Sequence, residues 1–340
     1  MFRSRLIILL GLVALISITV GTALAQEAAT TSATTAGGTA VIYDAAALSD
    51  AIVYWLPEVP PPAPGEEYVG WLVSDDDSVK LSTGPMTVAQ DGSITFNFDA
   101  SNKRYTGENL IHNYSKVVIT MEAVGQDPDA PIASFPRAVF HHSIPLKAMS
   151  HIRHLLTKSP SGSDKGIITQ LQDQIQVSID HAVLARNSKT LDDVRLHTHH
   201  VINLIEGSGG ANFDSGVGVP SPGDDKGVLS HANGRTHAGL AMGQAAGDEV
   251  ITTFGDLVLV TGKNVEDFAT QARDAALRSL NETDIVFAKL VLAGVEGLLR
   301  SSLSGVDADG DGTIEPVPGE GAAEQAYVEA LIKDLNNDLP

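Results

Sequence analysis

The hydrophobic period of this sequence changes once, near Pro145, and that change confines the fold more than any other feature. Before it, short runs rich in Val, Ile, Tyr, Phe and Thr partly alternate apolar with polar residues. After it, apolar residues recur every three to four positions. Alternation is the mark of a half-buried strand and the longer period that of an amphipathic helix, so the chain reads as β first and α second.

The strand-like runs are AVIYD, AIVYWLP, EYVGWLVS, SVKLSTGPMTV, SITFNF, KVVITMEAV and AVFHHSIP. Turn residues divide them at 60–65, 74–77, Asp91-Gly92 and 127–131. Seven or eight short strands with no long helix between them predict an antiparallel β-sandwich or barrel over 39–145. Trp55, Trp71 and Phe96 are its expected core anchors. Helical periods then cover 147–158, 165–187, 191–206, 228–246, 249–280 and 284–303, with Gly- and Pro-rich breaks at 159–163 and 207–227. Apolar stripes such as Leu171, Ile175, Ile179 and Ala182, or Val194, Val201, Leu204 and Ile205, predict an all-α helical bundle over 146–303.

Six of the eleven histidines crowd into 146–206: His151, His154, His181, His197, His199 and His200. His151 with His154, and His197 with His200, stand three residues apart, a spacing that aims two helical side chains at one point. On a helical wheel His197 falls inside the apolar face, His200 at its edge, and His199 points away. His181 borders its own stripe, and His237 opens a later helix. Histidines converging from several helices can hold a transition metal, or a haem between two imidazoles. The candidate ligands are therefore His151, His154, His181, His197, His200 and His237. Helical histidines that bind nothing instead satisfy one nitrogen on a neighbouring carbonyl or carboxylate. No H-E-x-x-H, E-x-x-H or C-x-x-C-H pattern accompanies these, and no G-x-S-x-G elbow, P-loop or dinucleotide fingerprint occurs. The 207–227 break carries Asp214, Asp224 and Asp225 as candidates for a cation.

The sharpest motif lies near the C-terminus, in VDADGDGTIEPVPGEG. Asp307, Asp309 and Asp311 alternate, Gly312 supplies a turn, Thr313 offers a carbonyl, and Ile314 is placed to pack inward. The stretch resembles the first nine positions of an EF-hand calcium loop, with Glu315 at the ninth. It departs where the closing Glu should stand, because that position is Pro318 and Glu320 comes two residues late. The resemblance implies Ca²⁺ held by Asp307, Asp309, Asp311, Thr313, Glu315 and Glu320, and no regulated opening of paired helices. A short helix is expected over 322–335.

A net charge of −20 repels phosphate backbones, so nucleic acid is excluded as a partner and cations are favoured. There is no cysteine, which removes disulfides, thiolate metal sites, iron–sulfur clusters and covalent haem. The N-terminus reads as an export signal over 1–25: Arg3 and Arg5, an apolar run, then Ala23-Leu24-Ala25 as the cleavage site. Left uncleaved, the same segment would anchor the chain in a membrane. An Ala-, Thr- and Ser-rich leader follows over 26–38.

The order LPEVPPPAPGEEYVGWLVSDD, STGPMTVAQDGSITF, KVVITMEAVGQDPDAP resembles the extracytoplasmic domain of anti-sigma-K-type factors, over about 100 residues of this chain. Those factors hold a sigma factor with a cytoplasmic segment ahead of their membrane helix. Here only five residues precede the apolar run, so the resemblance implies an exported β-module of sensing or interaction type and not sigma binding. The sequence thus predicts an exported, non-enzymatic binding or interaction protein whose partner is a protein or small molecule outside the cell. It has two alternatives: an exported metalloenzyme or redox protein using the histidines, and a membrane-anchored sensor. The acidic segment 304–340 closes the chain.

Overall fold

In the computed structural model, which describes residues 37–125, 138–245, 247–330 and 332–335, the change of period at Pro145 is a change of architecture. The described residues all belong to one compact unit beginning at Gly37. The expected export signal, nearly all of the leader and the turn at 127–131 lie outside the described residues.

Strands β1 (Gly38–Tyr43), β2 (Ala51–Leu56), β3 (Glu66–Val73), β4 (Lys80–Met86), β5 (Ile94–Phe98), β6 (Lys116–Ala123) and β7 (Ala138–Ser143) fall on the seven expected runs. A one-turn helix, α1 (Leu110–Asn113), sits between β5 and β6. The strands build two antiparallel four-stranded sheets, ordered β5-β2-β1-β8 and β4-β3-β6-β7. The last strand of the first sheet is β8 (Ile332–Leu335), from the far end of the chain. It pairs antiparallel with β1, Gly38 opposite Leu335 and Val41 opposite Ile332. The expected helix over 322–335 therefore stops early. β1 is hydrogen-bonded to β2 on one side only, and an extended segment satisfies the backbone groups of its other edge. β4 runs beside β5, and β7 beside β8, with no ladder between them, so among the described residues no barrel closes.

Strand alternation decides which side chains meet. Ile52, Tyr54 and Leu56 of β2 are buried, while Trp55 between them is 38% exposed. Trp55 is thus no core anchor: with a period of two, burying Tyr54 and Leu56 turns it outward. There its register neighbours are Thr39 and Thr95. Phe96 is half-buried and packs at the core's margin, its ring centroid 6.1 Å from that of Tyr54. Trp71 is buried, in a small separate cluster with Val69, Val73 and Val118. Its indole N–H donates to the Thr120 hydroxyl at 2.9 Å. Trp71→Phe should cost about 1–3 kcal/mol in urea unfolding, because it opens space and strips a buried hydroxyl of its donor. Adding Thr120→Val should recover part of that loss.

The helical region comprises α2 (Leu146–Leu156), α3 (Ile167–Asn187), α4 (Leu191–Glu206), α5 (Gly227–Asn233), α6 (Thr236–Gln244), α7 (Glu249–Leu280), α8 (Ile285–Ser304) and α9 (Ala323–Glu329). Side-chain caps start three of them: Thr190 for α4, Asp248 for α7 and Asp284 for α8, each accepting backbone N–H groups of the first turn. The single helix expected over 228–246 is two. Across residues 234–238 the backbone bonds shorten to i→i−3, with Gly234 N–H on His231 and His237 N–H on Gly234, which breaks the axis. Gly234 permits that turn because a Cβ there would strike Ile167.

Two large cores result. The first joins the inner faces of both sheets, through Ile42, Tyr54, Leu72 and Ile119, to Met149 and Leu155 of α2 and Ala238 and Ala241 of α6. The second lies among α3, α4, α5, α7 and α8, through Ile175, Val201, Val265, Ala276 and Leu292.

Two buried asparagines fasten the long loops to this frame. Asn203 on α4 donates to the Asp214 and Gly218 carbonyls at 2.9 and 2.7 Å and accepts from Asp214 N–H at 2.8 Å. Asn264 on α7 donates to the Val317 and Gly321 carbonyls at 2.7 and 2.8 Å and accepts from Gly319 N–H at 2.8 Å. Each amide thus uses its carbonyl and both N–H groups, as a buried Asn must.

Candidate metal centres

The six candidate histidines come together as two sets of three. His151 and His154 project from α2 and meet His237 of α6; His197 and His200 project from α4 and meet His181 of α3. In each set the three candidate ligand nitrogens lie within 4.8 Å of one another.

In the first set, His237 Nδ1 is 3.0 Å from His151 Nδ1 and 3.4 Å from His154 Nδ1. In the second, His181 Nδ1 is 3.2 Å from His197 Nδ1, and the His200 ring stands edge-on to His181 with centroids 4.7 Å apart. The i, i+3 spacing is what brings each pair to one point. All six are half-buried, so His197 lies beside the buried stripe of α4 and not within it. Val194, Thr198, Val201 and Ile205 take the buried positions.

Burial first, and neighbouring rings second, favour the neutral form of His154, His181, His200 and His237. Burial, then the adjacent His200 and His197, push His181 down to about 4. Burial and His151 lower His154; burial with His154 and His151 lowers His237; burial with His197 and His199 lowers His200. A neutral imidazole carries the lone pair that a metal requires. Hydrogen bonding satisfies such a set poorly. A ring nitrogen has one hydrogen or one lone pair, so His237 Nδ1 cannot bond well to both His151 and His154. His200 Nδ1 is buried with no hydrogen-bond partner among the described residues.

The depressed pKa of His181 also fixes a pH dependence. Unfolded, this group binds a proton near 6.5, and folded only near 4. Acid therefore favours the unfolded chain in that interval: the contribution is full above pH 6.5 and is lost as pH falls towards 4. Unfolding followed by circular dichroism between pH 7 and pH 4 should show stability falling with pH, and His181→Gln should flatten that fall.

The remaining histidines go elsewhere. His199 Nδ1 lies 3.4 Å from an Asp214 carboxylate oxygen, and His231 Nε2 lies 2.8 Å from Asp224. The other oxygen of Asp224 accepts from Lys226 and Gly227 N–H, and Asp214 accepts from Gly216 N–H. Among the described residues, Asp214, Asp224 and Asp225, the candidates for a cation, do not gather into a converging set of three ligands. Gly207, the C-cap of α4, lets this loop return: its φ is +73°, and a Cβ there would overlap the Lys226 carbonyl.

In the acidic loop, Asp307, Asp309 and Asp311 do converge, all exposed. Asp307 accepts from Gly310 and Gly312 N–H at 2.7 and 3.0 Å, Asp309 from Asp311 N–H at 3.1 Å, and Asp311 from Thr313 N–H at 2.8 Å. The Thr313 hydroxyl, then its backbone N–H, hold Asp311 below the usual carboxylate range. That hydroxyl also touches the Glu315 carboxylate. Glu320 is buried and outside the converging set; its carboxylate ties Ala308 to Glu315 through their N–H groups at 3.3 and 3.2 Å. Ile314, expected inward, is 36% exposed and rests against Gly305.

The two asparagine fastenings escaped the sequence reading. The available signal was an amide set within a buried apolar run, as Asn203 stands between Ile202 and Leu204. No protein-family model, curated protein or solved structure matches this chain.

Proposed function

We propose that this chain is an exported, non-enzymatic, extracytoplasmic binding protein that holds a transition metal at its histidines and calcium at its acidic loop. Its two sheets act as the layers of a β-sandwich, an interaction module like the anti-sigma-K-type domain it resembles, and its helices as a metal-carrying bundle. The observation that carries this reading is the gathering of six histidines into two compact sets among the described residues.

Distances support a bare ion. Tetrahedral metal–imidazole bonds of about 2.0–2.1 Å place ligand nitrogens about 3.3 Å apart. The approaches of 3.0, 3.2 and 3.4 Å lie within a few tenths of an ångström of that. A haem iron between two imidazoles would separate their nitrogens by about 4 Å, with a macrocycle between them. Approaches of 3.0, 3.2 and 3.4 Å favour a bare ion over that arrangement. At the loop, hard Ca²⁺ would draw on Asp307, Asp309 and Asp311, with Thr313 and Glu315 beside them and Glu320 bracing the base. Calcium there braces the C-terminal arm.

A second reading, an exported metalloenzyme or redox protein, is favoured by the ligand number. Three imidazoles leave a fourth position open, as catalytic zinc sites do.

Elemental analysis of untagged protein, purified without chelator, tests the proposal. It predicts about one calcium per chain together with stoichiometric transition metal. Absence of any transition metal, in protein offered zinc and copper during purification, rules out the histidine assignment.

A further inference from the structure

Resting on the metal-binding reading above, a finer conclusion follows from how the histidines are distributed. Both sets share one layout: a His-x-x-His pair on one helix and a single histidine on another. No residue belongs to both. The helices of the first set, α2 and α6, contribute Met149, Leu155, Ala238 and Ala241 to the core beneath the sheets. Those of the second, α3 and α4, contribute to the other core, apart from Ile168 at the start of α3, which joins the first. The single histidine of the first set stands 86 and 83 residues from its partners, and in the second His181 and His197 are 16 apart.

We propose that the six histidines form two separate three-imidazole sites, each taking one zinc-class divalent ion. Each ion pins one helix pair in a different core. Compact nitrogen triplets suit the tetrahedral preference of zinc better than the tetragonal preference of Cu(II). In a chain with no cysteine, these ions supply the cross-links that disulfides give other exported proteins. The first closes a long stretch of chain, from α2 to α6; the second fastens two consecutive helices.

Cobalt(II) titration of the metal-stripped full-length chain, in excess Ca²⁺ to occupy the acidic loop, reads the sites through visible ligand-field bands. Wild type should saturate at two Co²⁺ per chain. His154→Gln with His237→Gln should leave one, His181→Gln with His200→Gln should leave one, and all four together should leave none. Saturation at one ion, or loss of both ions in either pair variant, overturns the two-site proposal while leaving metal binding intact. No binding by wild type overturns both. Should a variant fail to fold by circular dichroism, X-ray absorption on zinc-loaded wild type decides: three imidazoles per ion agree with two sites, and four or more contradict them.

Discussion

Stripping the ions from protein whose two proposed histidine sites have been loaded with zinc is expected to lower its Tm by about 8 °C. An ion that binds only the folded chain, at a free concentration about 100 times its Kd, stabilises by about 2.7 kcal/mol, so two such sites supply about 5 kcal/mol. An unfolding entropy of about 2.1 cal/mol/K per residue, over about 300 folded residues, makes each kcal/mol worth about 1.6 °C of Tm. The effect should return on adding zinc and not on adding magnesium, because imidazole is a poor ligand for a hard cation. It should also depend on pH, since each ring that must shed a proton costs about tenfold in affinity per pH unit below its pKa. Differential scanning calorimetry with and without chelator, in constant calcium, measures it. An unchanged Tm would mean that the rings pack without an ion.

The second large effect is expected at Asn264. Asn264→Ala removes two donors and one acceptor at once, leaving the Val317 and Gly321 carbonyls and the Gly319 N–H to find other partners. Buried groups left unmet cost on the order of 1–3 kcal/mol each, and water entering beside an exposed loop offsets part of that. A net loss of about 2–4 kcal/mol in urea unfolding is expected. Asn264→Asp should not rescue it, because a carboxylate can accept from Gly319 but cannot donate to either carbonyl. The same substitution should weaken the proposed calcium binding about tenfold, since the residues it frees adjoin Glu320, whose carboxylate joins Ala308 to Glu315. A calcium titration by calorimetry separates the two effects. Wild-type affinity in the variant would show that the loop folds around its ion without the help of α7.

Much of this architecture was legible in the residues because one side chain's environment was enough to decide it. The runs AVIY and AIVYWL alternate, and they are strands; the 249–280 period is helical, and α7 spans Glu249–Leu280. The readings that went astray depend on partners far along the chain. Nothing local tells Ile332–Leu335 to extend, and only the open edge of β1, some 290 residues earlier in sequence, makes that the better conformation. Trp55 is apolar enough for a core, but register with Tyr54 and Leu56 turns it outward. At the candidate sites, the i, i+3 pairs were visible from spacing alone. Their third members were not assignable, because which helix lies across from α2 or α4 is a matter of tertiary packing. The turn at Gly234 that orients His237 depends on a close approach to Ile167, which is equally invisible in sequence.

The most direct measurement is anomalous diffraction at the zinc edge from crystals of zinc-loaded protein. Two anomalous peaks are expected, one bonded to His151, His154 and His237 and the other to His181, His197 and His200, each at about 2.0–2.1 Å from three ring nitrogens. Peaks confined to the acidic loop or the surface, with the two histidine sets empty, would contradict the account.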